Sequence, residues 1–118
     1  MLTPVHIAMR NIQPFVNTPV VFKVPADRPE RFIRVDMAAP IPTSPISYQG
    51  LVIIQAYAPN PDDCLSLLDQ AKRAMELADI NDGDVSGWEE EQGVVEFPDP
   101  DLPTVARWQL TGTLFYTT

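Results

Sequence analysis

The sequence contains few side chains whose types and spacing could support catalysis or metal binding. It has one histidine, His6, and one cysteine, Cys64, so neither has the second imidazole or thiolate that a zinc site needs. Cys64 also falls on the apolar face of a predicted helix, where a thiol acts as a small hydrophobic group. We therefore expect His6 to be a surface or packing residue and Cys64 to be a core residue.

Two carboxylates, Asp99 and Asp101, are close enough in the sequence to suggest general acid–base chemistry. They alternate with prolines in the run Phe97-Pro98-Asp99-Pro100-Asp101. Proline lacks an N–H and forces the residue before it into an extended conformation, so this run predicts a rigid turn. The pattern favours carboxylates that brace the turn over a catalytic pair.

The segment from Asp79 to Asp84 has some likeness to a calcium-binding loop. The EF-hand pattern requires glycine at the sixth position, whereas Gly83 is at the fifth, and a turn at the end of a helix is favoured instead. The chain also has no phosphate-binding loop, dinucleotide fingerprint or nucleophile elbow. The sequence therefore predicts a protein that is not an enzyme and that binds no metal or cofactor.

The net charge of −8 is distributed unevenly along the chain. Residues 1–59 carry five basic and three acidic side chains, whereas residues 60–118 carry three basic and thirteen acidic ones. Such an acidic half repels nucleic-acid phosphates. It could face a basic partner, line a passage through which DNA slides, or simply be solvated. The candidate residues for this acidic surface are Asp82, Asp84, Glu89, Glu90 and Glu91.

The length and composition predict one small domain over residues 1–118. A chain of 118 residues with 45% hydrophobic content can bury one core without disulfides or metals. The N-terminus has no basic, apolar leader and no segment reaches the ~20 apolar residues of a membrane span, so we expect no membrane association.

The elements that position these residues can be predicted from capping residues and periodicity. Thr3 and Pro4 predict the start of a helix that Pro14 ends. Short strands are expected at Val20–Val24 and Phe32–Ala38, and a central strand with two apolar faces at Tyr48–Ala58.

The first half of the chain is rich in proline: ten of the thirteen prolines lie in residues 1–61. Pro40, Pro42 and Pro45 fall together between two predicted strands and argue against the centre of a sheet. The segment Ala39–Ile46 is equally compatible with a packed loop and with an arm that grasps a partner.

The second half is predicted to contain one long helix and a terminal strand. Asn60 and Pro61 begin the helix, which runs to about Asp79. Residues 84–97 are weakly patterned strand or loop, and Ala106–Thr117 alternates apolar and polar side chains as a half-buried strand does. The fold class is therefore α+β, a small antiparallel or mixed sheet with two helices packed on one face.

The order of these elements, together with several short motifs, resembles one family of virion proteins. The motifs are Phe32-Ile33-Arg34-Val35, the strand end Gln55-Ala56-Tyr57-Ala58, the helix start Asn60-Pro61-Asp62-Asp63, and Pro98-Asp99-Pro100-Asp101 before Arg107-Trp108-Gln109-Leu110-Thr111. The chain resembles the tail terminator, or tail completion, proteins of phages with long non-contractile tails, especially phages of actinobacterial hosts. The Pro-Asp-Pro-Asp turn followed by the arginine-aromatic strand is the most specific part of the likeness.

The resemblance implies a protomer that assembles into a closed hexameric ring on the end of the tail tube nearest the head. Its partners would be the tail tube protein and a head–tail connector or stopper protein, and genomic DNA would pass through the lumen without specific binding. The protein would be found in the virion, and in the host cytoplasm during assembly. The candidate subunit or partner interface is Pro40, Pro42, Pro45, Asp99, Asp101, Arg107, Gln109 and Thr111, and the acidic residues named above are candidates for the lumen or its rim.

Two other functions remain open at this point. A neck component, either a stopper or an adaptor between portal and tail, would share the ring and the virion location. An acidic protein that binds a host target, such as a DNA mimic, would need carboxylates at phosphate-like spacing over one face. In this sequence the carboxylates are predicted to cluster in loops, which disfavours a DNA mimic.

Overall fold

The computed structural model describes residues 3–117, and the chain begins there with a short capped helix. Helix α1 spans Pro4–Ile12, and the Thr3 hydroxyl accepts a hydrogen bond from the His6 backbone N–H at 3.3 Å. A 3-10 turn at Gln13–Phe15, which contains Pro14, follows directly. The predicted start and end of this helix are therefore confirmed, because the cap and the helix-breaking proline act where the sequence places them.

A mixed six-stranded sheet forms the body of the protein. Its strands are β1 (Val20–Val21), β2 (Phe32–Met37), β3 (Ile41–Pro42), β4 (Ser47–Ala58), β5 (Val85–Glu96) and β6 (Ala106–Thr117). The order across the sheet is β1-β2-β4-β6-β5, and β3 pairs with β4 beyond the end of β2. Strand β1 is parallel to β2 and the other pairings are antiparallel. The α+β class and the mixed sheet are thus confirmed.

Two further helices follow the central strand. Helix α2 spans Pro61–Glu76, and the Asn60 side chain accepts a hydrogen bond from the Asp63 N–H at 2.9 Å. Helix α3 is a single turn at Ala78–Asn81, separated from α2 by Leu77. The prediction of one helix to about Asp79 and of two helices in total is corrected here, because the Leu77 backbone leaves the regular helical conformation and divides the segment.

The helices cover one face of the sheet and bury the core there. Helix α1 contacts β2 and β4, and helix α2 contacts β4, β5 and β6. The core side chains of the central strands share this face because they alternate along each strand; they are Ile33, Val35, Val52, Ile54, Ala56, Leu110 and Leu114. Within residues 3–117, no helix covers the opposite face.

A close approach between helix and sheet requires glycine at position 50. A methyl group placed on Gly50 would come within 2.6 Å of Pro4 Cγ. Glycine therefore lets the first turn of α1 lie directly on the central strand β4, since it has no Cβ to hold the two elements apart.

Strand β5 was predicted only as weakly patterned strand or loop, yet it is one continuous twelve-residue strand. It pairs with β6 along its length, with three irregularities in register. It lies at the edge of the sheet, and all but its first few residues are exposed. Polar side chains therefore occupy both of its faces, and this removes the alternation that identifies half-buried strands.

The first edge strand is also shorter than the sequence predicts, because only Val20 and Val21 pair with β2. Residues 22–31 leave the sheet as an exposed loop. Within residues 3–117, no helix is both long enough and apolar enough to cross a membrane.

Candidate functional site

Arg107, at the start of β6, holds the Pro-Asp-Pro-Asp turn against the sheet. Its Nε donates to the Phe97 carbonyl at 2.6 Å, and its Nη1 donates to the Tyr57 hydroxyl at 3.1 Å. The guanidinium also lies 4.6 Å from the Phe97 ring centroid and 3.7 Å from a carboxylate oxygen of Asp99. Only 11% of the side chain is exposed. The role of Arg107 that the structure displays is therefore an intramolecular clamp, and a role between subunits stays a prediction.

The two carboxylates of the turn have different environments. The Asp99 side chain accepts a hydrogen bond from the Asp101 N–H at 3.0 Å, and the Leu102 N–H donates to the Asp99 carbonyl at 3.0 Å. Asp101 itself is exposed. The expectation that these residues brace a turn is confirmed for Asp99, while Asp101 is placed where a partner could reach it.

The acidic residues after α3 are bound to a helix from the other end of the chain. Arg10 donates to Asp82 through Nε and Nη2 at 2.7 and 2.8 Å, and to Asp84 through Nη2 at 2.8 Å. Asn11 Nδ2 adds a third bond to Asp82 at 2.8 Å. Hydrogen bonds from the Arg10 guanidinium lower the pKa of Asp82 to about 2. Their effect is larger than that of the partial burial of Asp82, which acts to raise the pKa. These two candidate rim residues therefore anchor α1.

The remaining acidic candidates lie on β5 and not in a loop. Glu89 is exposed, Glu90 lies 3.5 Å from Lys72 Nζ on α2, and Glu91 accepts a hydrogen bond from the Thr113 hydroxyl at 3.0 Å. The prediction that carboxylates cluster in loops is thus corrected, because β5 carries them on a strand. Since neighbouring strand residues point to opposite faces, this charge is spread over both sides of the sheet edge.

A polar row crosses the face of the sheet that the helices leave uncovered. The register places Arg34 opposite Gln55, and Gln55 opposite Gln109, so the three side chains share this face. Gln55 Nε2 donates to Gln109 Oε1 at 3.4 Å. The Nε of Arg34 is buried and has no hydrogen-bond partner within residues 3–117. Both Gln109 and Thr111, which were predicted as interface residues, are half-buried on this face.

The proline-rich segment Ala39–Ile46 contains β3, which pairs with β4 beyond the end of β2. Pro42 pairs opposite Tyr48, and the chain then turns back through a bond from the Thr43 N–H to the Ser47 carbonyl at 2.8 Å. Pro42 and Pro45 are exposed and Pro40 is half-buried. The segment is therefore a short hairpin at one end of the sheet, with its candidate interface prolines brought together there.

An apolar groove, which the sequence did not predict, lies along the free edge of β2. Strand β1 pairs only with Ile33 and Arg34, so residues 35–37 have no strand partner on that side within the described chain. The groove has a volume of about 330 Å³ and is lined by Thr3, Val5, His6, Phe22, Val35, Asp36 and Met37. We call it the β2 edge groove.

The sequence gives only a partial signal for the β2 edge groove. Val35 and Met37 alternate toward the core, but the end of β1 at Val21, which exposes the edge, does not follow from the residues themselves. Phe22 is 51% exposed at the mouth of the groove. The sequence predicts Phe22 within the strand Val20–Val24, but β1 ends at Val21, so the ring lies in the loop that follows and its place at the groove could not be predicted.

The structure shows the surroundings of Cys64, of His6 and of the carboxylates. Residues 3–117 contain no group of three or more histidine, cysteine, aspartate or glutamate side chains placed to hold a metal ion. Cys64 is buried, and burial raises its pKa to about 11, so its thiol is protonated at neutral pH. The His6 imidazole lies 2.6 Å from the hydroxyl of its own helix cap, Thr3.

Comparison of the sequence with protein-family models gave no match, and comparison with curated proteins gave none either.

Proposed function

We propose that this chain is a structural phage protein, a tail terminator whose copies close into a hexameric ring at the end of the tail tube nearest the head. The ring stops polymerisation of the tube protein and provides the surface to which the head–tail connector docks. The proposal starts from the family resemblance of the motifs and is supported by the surfaces of the protomer.

The observation that carries the proposal is the free outer edge of β5. This strand is twelve residues long, and among residues 3–117 it pairs only with β6, on one side. A long unpaired strand edge is a template for pairing with another chain, and native proteins blunt it with charge and bulges or cover it. Strand β5 has both blunting devices, four glutamates and an irregular register, so a neighbouring copy would pair with it only through a complementary surface.

The edge of the sheet opposite β5 presents a different surface from the β5 edge, and this difference favours a ring. It consists of the two-residue β1 and the β2 edge groove, whereas the β5 edge is long and acidic. A repeated contact between two unlike surfaces is heterologous, and it closes into a ring when the rotation between neighbours permits. A protomer with two unlike free edges fits such an assembly better than a two-fold dimer.

The exposed carboxylates fit the passage of DNA through the ring. Glu89 and Glu96 are solvent-exposed on β5, and Asp101 is exposed on the turn that follows it. Negative side chains on a lumen or its rim repel phosphates, so DNA moves past without specific binding. Asp82 and Asp84, which pair with Arg10, contribute less to this repulsion.

The decisive experiment removes the gene from the phage genome that encodes it and measures tail lengths by electron microscopy. We expect overlong tails without heads. Tails of normal length beside unattached heads would instead assign the chain to the neck as a stopper or adaptor. Intact infectious virions would overturn a structural role in the tail. Complementation with the wild-type gene is the control.

A further inference from the structure

The sequence contains one aspartate that is followed directly by glycine, Asp82-Gly83. This pair is the one most prone to backbone isomerisation, because glycine has no side chain to hinder attack of its nitrogen on the aspartate carboxyl group. We propose that Asp82-Gly83 is a latent isomerisation site, which the clamp from Arg10 and Asn11 keeps unreactive in the folded protein, and that conversion to isoaspartate releases helix α1. The inference does not depend on the proposed function.

The reaction consumes and returns only water. The backbone nitrogen of Gly83 bonds to Cγ of Asp82, and the carboxyl hydroxyl leaves with the amide proton as one water molecule. Water then opens the resulting five-membered succinimide at either of its carbonyl groups. Opening at one carbonyl restores aspartate. Opening at the other leaves the main chain running through Cβ and Cγ of residue 82, so isoaspartate has the same composition and a main chain longer by one carbon.

The folded protein holds the Asp82 carboxyl group in its unreactive form. The attack requires a neutral carboxyl group, since a carboxylate has no hydroxyl to release. Arg10 donates to the carboxylate at 2.7 and 2.8 Å, and the Asn11 side chain and the Asp84 N–H donate at 2.8 and 3.0 Å. These bonds lower the pKa of Asp82 from 3.8 to about 2, so at neutral pH its neutral fraction is about 60-fold smaller than in an unfolded chain. The carboxylate of Asp84 is compensated by the same guanidinium at 2.8 Å.

The backbone of Asp82 is also in the wrong conformation for ring closure. A planar five-membered ring needs Cβ of Asp82 and the nitrogen of Gly83 to eclipse each other, which for an L-residue demands a strongly negative ψ. Asp82 instead has φ −136° and ψ 113°, so the nitrogen is turned away from its own side chain. Two backbone bonds hold this conformation, from the Asp82 N–H to the Ala78 carbonyl at 2.8 Å and from the Val85 N–H to the Asp82 carbonyl at 3.1 Å.

Gly83 itself does not resist the rotation that the reaction needs. It is exposed, and no atom of residues 3–117 lies within 4 Å of a Cβ placed on it. The barrier therefore lies in the bonds of Asp82, and above all in its anchor to α1. Detachment of α1 frees the carboxylate and lets the turn rotate, and local openings of this kind cost less free energy than global unfolding.

Isomerisation would prevent the anchor from forming again. Isoaspartate carries its carboxylate directly on Cα, and its longer main chain displaces that group from the two-point contact with Arg10 Nε and Nη2. The same added carbon shifts Val85, the first residue of β5. The conversion is therefore a lasting loss of the link between α1 and the start of β5.

The test measures isoaspartate in the full chain during incubation at neutral pH. Isoaspartate is detected by methylation with protein isoaspartate methyltransferase and located by fragmentation mass spectrometry. We expect the folded wild type to convert at least about 60-fold more slowly than the same chain unfolded in urea, which is the factor from protonation alone. Arg10→Gln keeps a polar side chain without the charge, and it should raise the rate in the folded protein at least about tenfold.

Arg107→Ala is the control that separates the clamp from general stability. It removes bonds to the Phe97 carbonyl and the Tyr57 hydroxyl at the start of β6, whereas the Asp82 turn adjoins the end of β6, where the Thr117 N–H bonds the Asp84 carbonyl. Arg107→Ala should therefore isomerise at the wild-type rate. Equal acceleration by Arg107→Ala and Arg10→Gln would overturn the proposal, as would a folded wild type that converts as fast as the unfolded chain.

The release of α1 is tested on the isoaspartate form itself, separated from the unmodified chain by ion-exchange chromatography. Hydrogen exchange over residues 4–12 should be faster in this form, and its unfolding midpoint in urea should be lower. Wild-type exchange in α1 of the isoaspartate form would refute the release of the helix.

Discussion

Arg10 and Asp82 form a two-point ion pair that joins the first helix to the turn after α3. The bonds are 2.7 Å from Nε and 2.8 Å from Nη2, and Asn11 adds its side-chain amide to the same carboxylate. Only 11% of the Asp82 side chain is exposed, whereas 41% of the Arg10 side chain is. The pair is therefore partly shielded from solvent and holds α1 beside the beginning of β5.

Asp82→Asn should destabilise the protein. The substitution removes the charge that four donors share, and hydrogen bonds to charged groups contribute roughly 1.5–3 kcal/mol before screening at the exposed Arg10 is considered. We expect a loss of about 1–2 kcal/mol in the free energy of unfolding, measured by urea denaturation. Asp79→Asn, on an exposed residue of the same acidic segment, is the matched control and should change little. An unaltered midpoint for Asp82→Asn would contradict a stabilising role.

The same ion pair should make stability depend on pH at the acidic end. The pKa of Asp82 is lowered from 3.8 to about 2 in the folded protein, chiefly by its hydrogen bonds with Arg10. Because the folded pKa is the lower one, the contribution of Asp82 is fully present above pH 3.8 and is lost as the pH falls through about 2. The difference in unfolding free energy between the wild type and Asp82→Asn should therefore shrink over that interval. If the difference in unfolding free energy between the two proteins stayed constant down to about pH 2, the effect of Asp82→Asn would come from packing and not from the lost charge.

The elements that could be predicted are those whose signals are local. Asn60 and Pro61 begin α2 because cap and first-turn preferences act within a few residues, and the alternation in Ala106–Thr117 follows from burial on one face only. Strand β5 was missed because an edge strand exposed on both faces has no alternation. The ion pair between Arg10 and Asp82 could not be predicted, since 72 positions separate the two residues and only the tertiary fold brings them together.

The candidate surface shows the same division between local and tertiary signals. The turn brace of Asp99 was predictable from its prolines, because an Asx turn is a local structure. The clamp by Arg107 was not, since it depends on the pairing of Tyr57 with Arg107 across β4 and β6. The β2 edge groove was not predictable either, because it exists only where β1 ends.

Arg107→Ala should loosen the segment that follows β5. The side chain contacts Phe97, Tyr57 and Asp99 at once, and several bonds of a planar guanidinium cannot be replaced by a smaller group. We expect a loss of about 1–3 kcal/mol in unfolding free energy and faster hydrogen exchange over residues 97–105. Arg107→Lys should restore only part of the stability and of the protection from exchange, since an ammonium keeps the charge but cannot make the several bonds of a planar guanidinium.

The matched control for Arg107 is Arg73→Ala on the exposed side of α2. It removes an arginine of the same charge at a site without a salt bridge in the described chain. Unchanged exchange in residues 97–105 for Arg107→Ala would show that the prolines alone hold the turn. A selective loss of oligomers with normal exchange would instead place Arg107 in a subunit contact, as the sequence analysis expected.

Cys64 should react with thiol reagents only when the protein opens. Its Sγ lies 3.4 Å from the Ala56 carbonyl and 3.3 Å from the Ala106 carbonyl, and burial raises its pKa from 9.0 to about 11. At pH 8 the thiolate fraction is then about 100-fold lower than for an ordinary cysteine, before restricted access is counted. We expect reaction with a disulfide reagent to be at least about 100-fold slower than for an added Ser66→Cys thiol. Equal rates would show that the region around Cys64 is open.

Gly112 on β6 should not tolerate a methyl group. A Cβ at this position would overlap the indole ring of Trp88 and approach the Glu89 carbonyl oxygen at 2.8 Å. The carbonyl belongs to the paired strand β5, so relief requires movement of the backbone as well as of the Trp88 side chain. Overpacking of this kind costs about 1–3 kcal/mol, and Gly112→Ala should lower the unfolding free energy by that amount.

Gly93→Ala on the neighbouring strand provides the control for Gly112→Ala. No atom lies within 4 Å of a Cβ placed on Gly93, and neither glycine has a positive φ. The new methyl group therefore meets open space and reduces the freedom of the unfolded chain, so Gly93→Ala should be neutral or slightly stabilising. The comparison separates the two causes because both substitutions replace glycine by alanine in one hairpin. If both variants unfolded at the wild-type midpoint, Trp88 would have to lie away from Gly112, and the packing of β5 on β6 would need to be revised.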